Sequence, residues 1–144
     1  MLLKQETIEH CIKEAQPLFN LHWLELYGGE CPADIDKVII NEKAGDSAYF
    51  TSRTNDGQLQ GHACFFIIDA PHCAAKVALD MFYYVKPEYR GAFVMARLLK
   101  FSAIELVKSG ISNVIVSHAA TSNISPIIKR AGFVEAGKTY TFKG

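Results

Sequence analysis

Apolar positions near the start of the chain recur at Ile8, Cys11, Ile12, Ala15, Leu18, Phe19, Leu21, Leu24 and Leu26, close to the period of a helix. This spacing predicts a helix over 5–27, kinked or split at Pro17 and ended by Gly28 and Gly29. Over 32–44 two patterns overlap. Asp34 can cap a helix that carries Ile35, Val38 and Ile39 on one face, and Val38, Ile39 and Ile40 also suit a strand; helix is the expectation. Two β-prone runs, Ser47–Arg53 and 58–68, then flank the turn Asn55, Asp56, Gly57, which predicts a hairpin. The break at Asp69, Ala70, Pro71 and His72 is followed by a third strand over 77–85, stopped by Pro87. A helix over 91–109 faces the core with Phe93, Ala96, Leu98, Leu99, Ala103, Ile104 and Val107. A short apolar strand over 113–117, a helix over 122–131 and one or two strands over 133–142, turning at Gly137, complete the order. Helices, three strands, helix, strand, helix and a strand pair predict an α+β layered domain with a mostly antiparallel central sheet flanked by helices, a single domain over 1–144.

Composition narrows the function classes. Hydrophobic residues make up 49% and charged residues 21%, which predicts a packed interior. Fifteen basic residues balance fifteen acidic ones, so neither an extended nucleic acid nor a membrane surface is an expected partner. The start of the chain lacks the apolar core of a signal peptide, and no apolar run approaches the ~20 residues of a membrane span. The four cysteines are scattered, as expected for free thiols in a reducing, cytoplasmic setting. No residues complete a metal-ligand set around His22 and Glu25, so no metal is expected.

The chemistry concentrates where the third strand ends. Val85, Lys86 and Pro87 lead into Arg90 and Gly91 at the opening of a helix. A helix start presents unpaired N–H groups and partial positive charge to a phosphate, Arg90 can add a charge-assisted contact, and Gly91 allows close approach. At these residues the chain resembles the GNAT acetyltransferase superfamily. The Val-x-Pro strand end and Arg90 match its phosphate-loop motif, Leu98 and Leu99 match its helix leucines, and Ser122, Asn123 and the Ala131, Gly132, Phe133 closure match its second signature. The resemblance runs from about residue 47 to the end of the chain. The helix with His22 and Glu25, together with His72, Asp80 and the Pro-Glu-x-Arg-Gly turn, is similar to phage-encoded members.

The resemblance implies the acyl-CoA N-acyltransferase fold and acetyl-coenzyme A as cofactor. A strand splayed at Tyr83, Tyr84 and Val85 would hold the pantetheine. The turn and helix start at Arg90, Gly91, Ala92, Phe93, Val94 and Met95 would hold the pyrophosphate, with Asn123 nearby. It implies acetyl transfer to a primary amine, of a small molecule or a protein, by direct attack. Two departures stand out: the family's helix-opening glycines fall at Phe93 and Met95, and its frequent general-acid tyrosine corresponds to Ile128. They leave a coenzyme-binding or inhibitory protein without turnover as the alternative.

Among candidate catalytic groups, Asp80 interrupts an apolar strand, where a carboxylate needs a partner or a task. It is the candidate base, with a clamp for a cationic substrate as its other role. His22 and Glu25 share a helix face over the expected acceptor site. His118 ends the strand facing the cofactor gap, and His72 is a further substrate candidate. Tyr140 is the first candidate to replace the missing acid. A strand pair left exposed at the end of the chain would support a homodimer.

Overall fold

The computed structural model describes the backbone of all 144 residues and every side chain except those of Cys73 and Ala92. In chain order the elements are β1 (Leu2–Glu6), α1 (Ile8–Tyr27), α2 (Ile35–Lys43), β2 (Ser47–Arg53), β3 (Leu59–Ala70), β4 (Ala75–Val85), α3 (Val94–Lys108), β5 (Asn113–Ile115) and α4 (Ser125–Arg130). Short 3₁₀ turns precede β4 (Pro71–Cys73) and α3 (Pro87–Ala92). The strands form one five-stranded sheet in the order β1-β2-β3-β4-β5. Its first four strands are antiparallel, and β5 joins β4 in parallel. A parallel pair needs a crossover, and α3 supplies it.

Helix α1 begins where Thr7 accepts a hydrogen bond from the His10 amide at 3.2 Å, and it ends at Gly28, whose φ of 72° closes the last turn onto Leu24. It runs through Pro17 as one unbroken helix rather than splitting there. Ile8, Cys11, Ala15, Leu18 and Phe19 bury its inner face, and α1 and α2 cover one side of the sheet through Tyr49, Cys64, Met81 and Phe82. The opposite side carries α3 and α4, packed through Leu98, Leu99, Leu106 and Ile128 on Phe50, Ala63, Phe65 and Ala78. Helices on both faces of a mostly antiparallel sheet are the α+β arrangement expected.

Two expectations are corrected. Residues 2–6 form a strand, because β2 offers an edge over its whole length and pairs Leu2 with Arg53 through Glu6 with Tyr49. The side chain of Arg53 then ties β1 to α1, reaching Glu6 at 2.9 Å and Glu14 at 2.7 Å. At the other end no strand forms over 133–142. The sheet ends at the three residues of β5, and Val134, Tyr140 and Phe142 lie 85%, 87% and 97% exposed. Among the described residues, no helix is long and apolar enough to cross a membrane.

Candidate functional site

Strand β4 changes partners along its length, and the site follows from that change. Its first half pairs with β5 only as far as Leu79 with Ile115, after which β4 continues to Val85 against β3 alone. Within the β3–β4 ladder Phe65 pairs with Asp80 and Cys64 with Phe82, which leaves Met81 as an extra residue. Such a bulge bends a strand and re-aims its side chains. Met81 and Phe82 both pack toward α1 and α2, while Asp80 and Tyr83 fall on the α3 side.

Asp80 and Tyr83 bridge the gap that opens beyond the ladder. The Ser117 amide donates to Asp80 Oδ1 at 3.0 Å, and the Tyr83 hydroxyl donates to the Ser117 carbonyl at 2.6 Å. Two side chains of β4 therefore hold both backbone polar groups of Ser117, two residues past the end of β5, where ladder bonds would otherwise run. Burial raises the Asp80 carboxyl above the usual carboxylate range, and the Ser117 amide only partly offsets it. Burial, with the neighbouring Asp80 charge, also pushes the Tyr83 phenol up, so it keeps its proton.

On the other face, past the end of the gap, a second group assembles. Arg90 Nη1 and Nη2 donate to Glu25 Oε1 and Oε2 at 2.6 and 2.7 Å, and Arg90 Nε donates to the Val85 carbonyl at 2.9 Å. The Tyr84 hydroxyl donates to the same Glu25 carboxylate at 2.9 Å. His22 stacks on the Tyr84 ring with centroids 4.9 Å apart, and the Arg90 guanidinium lies 5.1 Å from the centroid of that ring. The bidentate pair with Arg90 holds Glu25 below the usual carboxylate range, while burial lowers the His22 imidazole.

The start of α3 lies beside these groups. Phe93 precedes it in the left-handed conformation, φ 58° and ψ 22°, the backbone shape that a glycine takes freely. The first intrahelical bond runs from the Arg97 amide to the Phe93 carbonyl, no side chain caps the end, and the first turn holds no acidic residue. The amides of Val94, Met95 and Ala96 are thus left without intrahelical partners. Val94 and Met95 turn into the core, whereas the Phe93 ring stays 53% exposed.

The structure brings Asp80, Tyr83 and Ser117 together, and brings His22, Glu25, Tyr84 and Arg90 together; His118 was expected to end a strand, but β5 stops at Ile115 and His118 lies in the segment after it. The two groups lie on opposite faces of the sheet. His118 sits one residue past Ser117, exposed, with Nδ1 donating to the Ala119 carbonyl at 2.8 Å. Asn123 is exposed just before α4, and Gly91 has open space around it; the side chain of Ala92 lies outside the described residues. Two candidates stand apart. His72 lies before the first residue of β4, the strand's whole length from Tyr84, and Tyr140 lies on the exposed tail. Ile128, at the position of the missing acid, is buried in the α3–α4 core.

Sequence reasoning missed Ser117, which enters through its backbone, and Arg130, whose guanidinium lies 4.2 Å from the centroid of the Phe93 ring. Neither has a local sequence signal. Two surface concavities of about 460 and 430 Å³ open by Lys76 and Ser112 and by Leu24 and Cys31. Neither contains a gap residue.

Comparison with known proteins gives the same picture. A model of the acetyltransferase (GNAT) family matches residues 15–126. No curated protein matches the chain. Among solved structures, a protein described as a "probable acetyltransferase" is 20% identical with a TM-score of 0.79, over 99% of this chain and 97% of its own. The ribosomal-protein-alanine N-acetyltransferase of Brucella melitensis biovar Abortus 2308 is 13% identical with a TM-score of 0.76, over the full length of both chains. An aminoglycoside acetyltransferase from an uncultured soil metagenomic sample is 11% identical with a TM-score of 0.77, over 99% of this chain and 95% of its own. At these identities the structural likeness concerns the fold, and the family model covers most of the sequence: this chain belongs to the acetyltransferase (GNAT) family.

Proposed function

We propose that this chain transfers an acetyl group from acetyl-coenzyme A to a primary amine by direct attack of the amine in a ternary complex. The observation that carries this reading is the parting of β4 from β5 after Leu79 and Ile115, beside an uncapped helix start. The residues present fit the coenzyme. Three unpartnered amides at Val94, Met95 and Ala96, with no carboxylate in the first turn, suit a pyrophosphate. The edge of β4 past Leu79, at Tyr83, Tyr84 and Val85, has no β5 partner and suits an amide-bearing chain. When bound, acetyl-coenzyme A supplies a thioester that is activated toward amines.

The chain's own groups divide the remaining work. Asp80, held by the Ser117 amide and raised by burial, takes the proton of the incoming amine. Tyr83 keeps its proton and fixes the far side of the gap through the Ser117 carbonyl. At the rim on the α1 side Glu25 is committed to Arg90 and Tyr84, which leaves the His22 imidazole, lowered by burial, as the group there that can orient an amine acceptor from a small molecule or a protein. The ribosomal-protein and aminoglycoside enzymes of similar fold carry amine acceptors in their names, which supports this substrate class.

Calorimetry with acetyl-coenzyme A and coenzyme A tests the first half of the proposal, and no binding of either at millimolar concentration sinks it. Release of free thiol across a panel of amines tests the second half. The buried Ile128, which cannot protonate a leaving thiolate, favours one other reading, a coenzyme-binding protein without turnover. Binding with no thiol release for any amine would support that reading.

A further inference from the structure

Arg90 is the last basic residue before the helix start, yet it is engaged elsewhere. All three of its side-chain nitrogens donate to protein acceptors, the Val85 carbonyl and both Glu25 oxygens, on the α1 side of the sheet. Arg130 differs in every respect. It ends α4, on the α3 side, and among the described residues its guanidinium makes no hydrogen bond or ion pair. It rests over the ring of Phe93, 4.2 Å from the centroid, at the residue immediately before α3. An exposed aromatic at φ 58° is an unfavourable choice for the backbone alone. A ring there does provide a seat for a cation.

We propose that Arg130, seated on Phe93, is the side chain that holds a phosphate of the coenzyme, the task for which Arg90 is not free. This rests on the coenzyme-binding reading above. It makes Phe93 a positioning residue, which places Arg130 at the helix start, instead of an obstruction where glycine is usual.

Calorimetry on the full chain with coenzyme A and with 3′-dephospho-coenzyme A tests the inference. Arg130→Gln should weaken coenzyme A binding by about tenfold, as expected for loss of charge-assisted hydrogen bonds. Phe93→Gly should weaken it about threefold by releasing Arg130, although it removes a bulky side chain and a strained backbone. An obstructing Phe93 would instead give tighter binding in that variant. Equal loss for both ligands places Arg130 on the pyrophosphate; loss with coenzyme A alone places it on the ribose phosphate. Either supports the proposal. Unchanged affinity in Arg130→Gln, or tighter binding in Phe93→Gly, overturns it while leaving the coenzyme reading intact. Wild-type protein that binds neither ligand overturns both.

Discussion

Asp80 and His62 show how burial sets the behaviour of single residues. The Asp80 carboxyl is raised in the folded chain, so folding favours its protonated form. The stability tied to it is complete below its unfolded value and lost as pH rises through the folded one. Asp80→Asn keeps an oxygen to accept from Ser117 and removes the charge, so it should melt higher than wild type at pH 7 while thiol release falls about 100-fold. Melts at pH 4 and 7 beside steady-state rates check both halves. His62 lies fully buried on β3, sharing a 2.9 Å hydrogen bond with the Tyr49 hydroxyl while its Nε2 has no partner. Burial first, and the His22 charge second, lower it to about 3. Its neutral form is therefore favoured by folding, with stability complete above the ordinary imidazole value of 6.5 and lost as pH falls toward 3. The urea midpoint should drop between pH 7 and pH 4 in wild type, and His62→Leu should flatten that slope.

Elements are held in register by contacts that leave little room. Gly61 pairs with Val85 at the end of β4, and a Cβ there would lie 2.7 Å from Val85 Cγ2 and 2.8 Å from the Tyr84 carbonyl. The backbone atom cannot move aside without shifting the strand that carries Tyr84 and the anchor of Arg90. Gly61→Ala should cost about 1–3 kcal/mol, read as a lowered urea midpoint, and weaken thiol release by misplacing the gap. At this scale most of the order was legible. Apolar periodicity gave α1, α2, α3 and the hairpin, because each buries a face against the sheet. The strand β1 was not, because Thr7, which caps α1, lies inside what reads as continuous helix, and residues 2–6 become a strand only when β2 offers an edge.

For the whole molecule, the sheet ends at β5 and the helical layers at α4, and the tail from Val134 onward is exposed, whereas Phe133 still packs on the core. Removing residues 136–144 should change stability by less than about 0.5 kcal/mol, and thermal melts with thiol-release rates should match those of the full chain. A large loss would mean that the tail completes the sheet. The strand pair expected over 133–142 does not form, and Tyr140 lies exposed on the tail.

The layered α+β class, the order of the main elements and the strand-turn-helix segment from Val85 to Met95 were all readable in one dimension. These depend on local periodicity, turn residues and motif spacing, which survive in one dimension. Only the tertiary structure decided how charged side chains were shared: Arg90 with Glu25, Asp80 and Tyr83 with the backbone of Ser117, and Arg130 with Phe93. Each of these contacts joins residues more than thirty positions apart, and pairing across such distances is set by the register and the faces of the sheet, which no local pattern encodes.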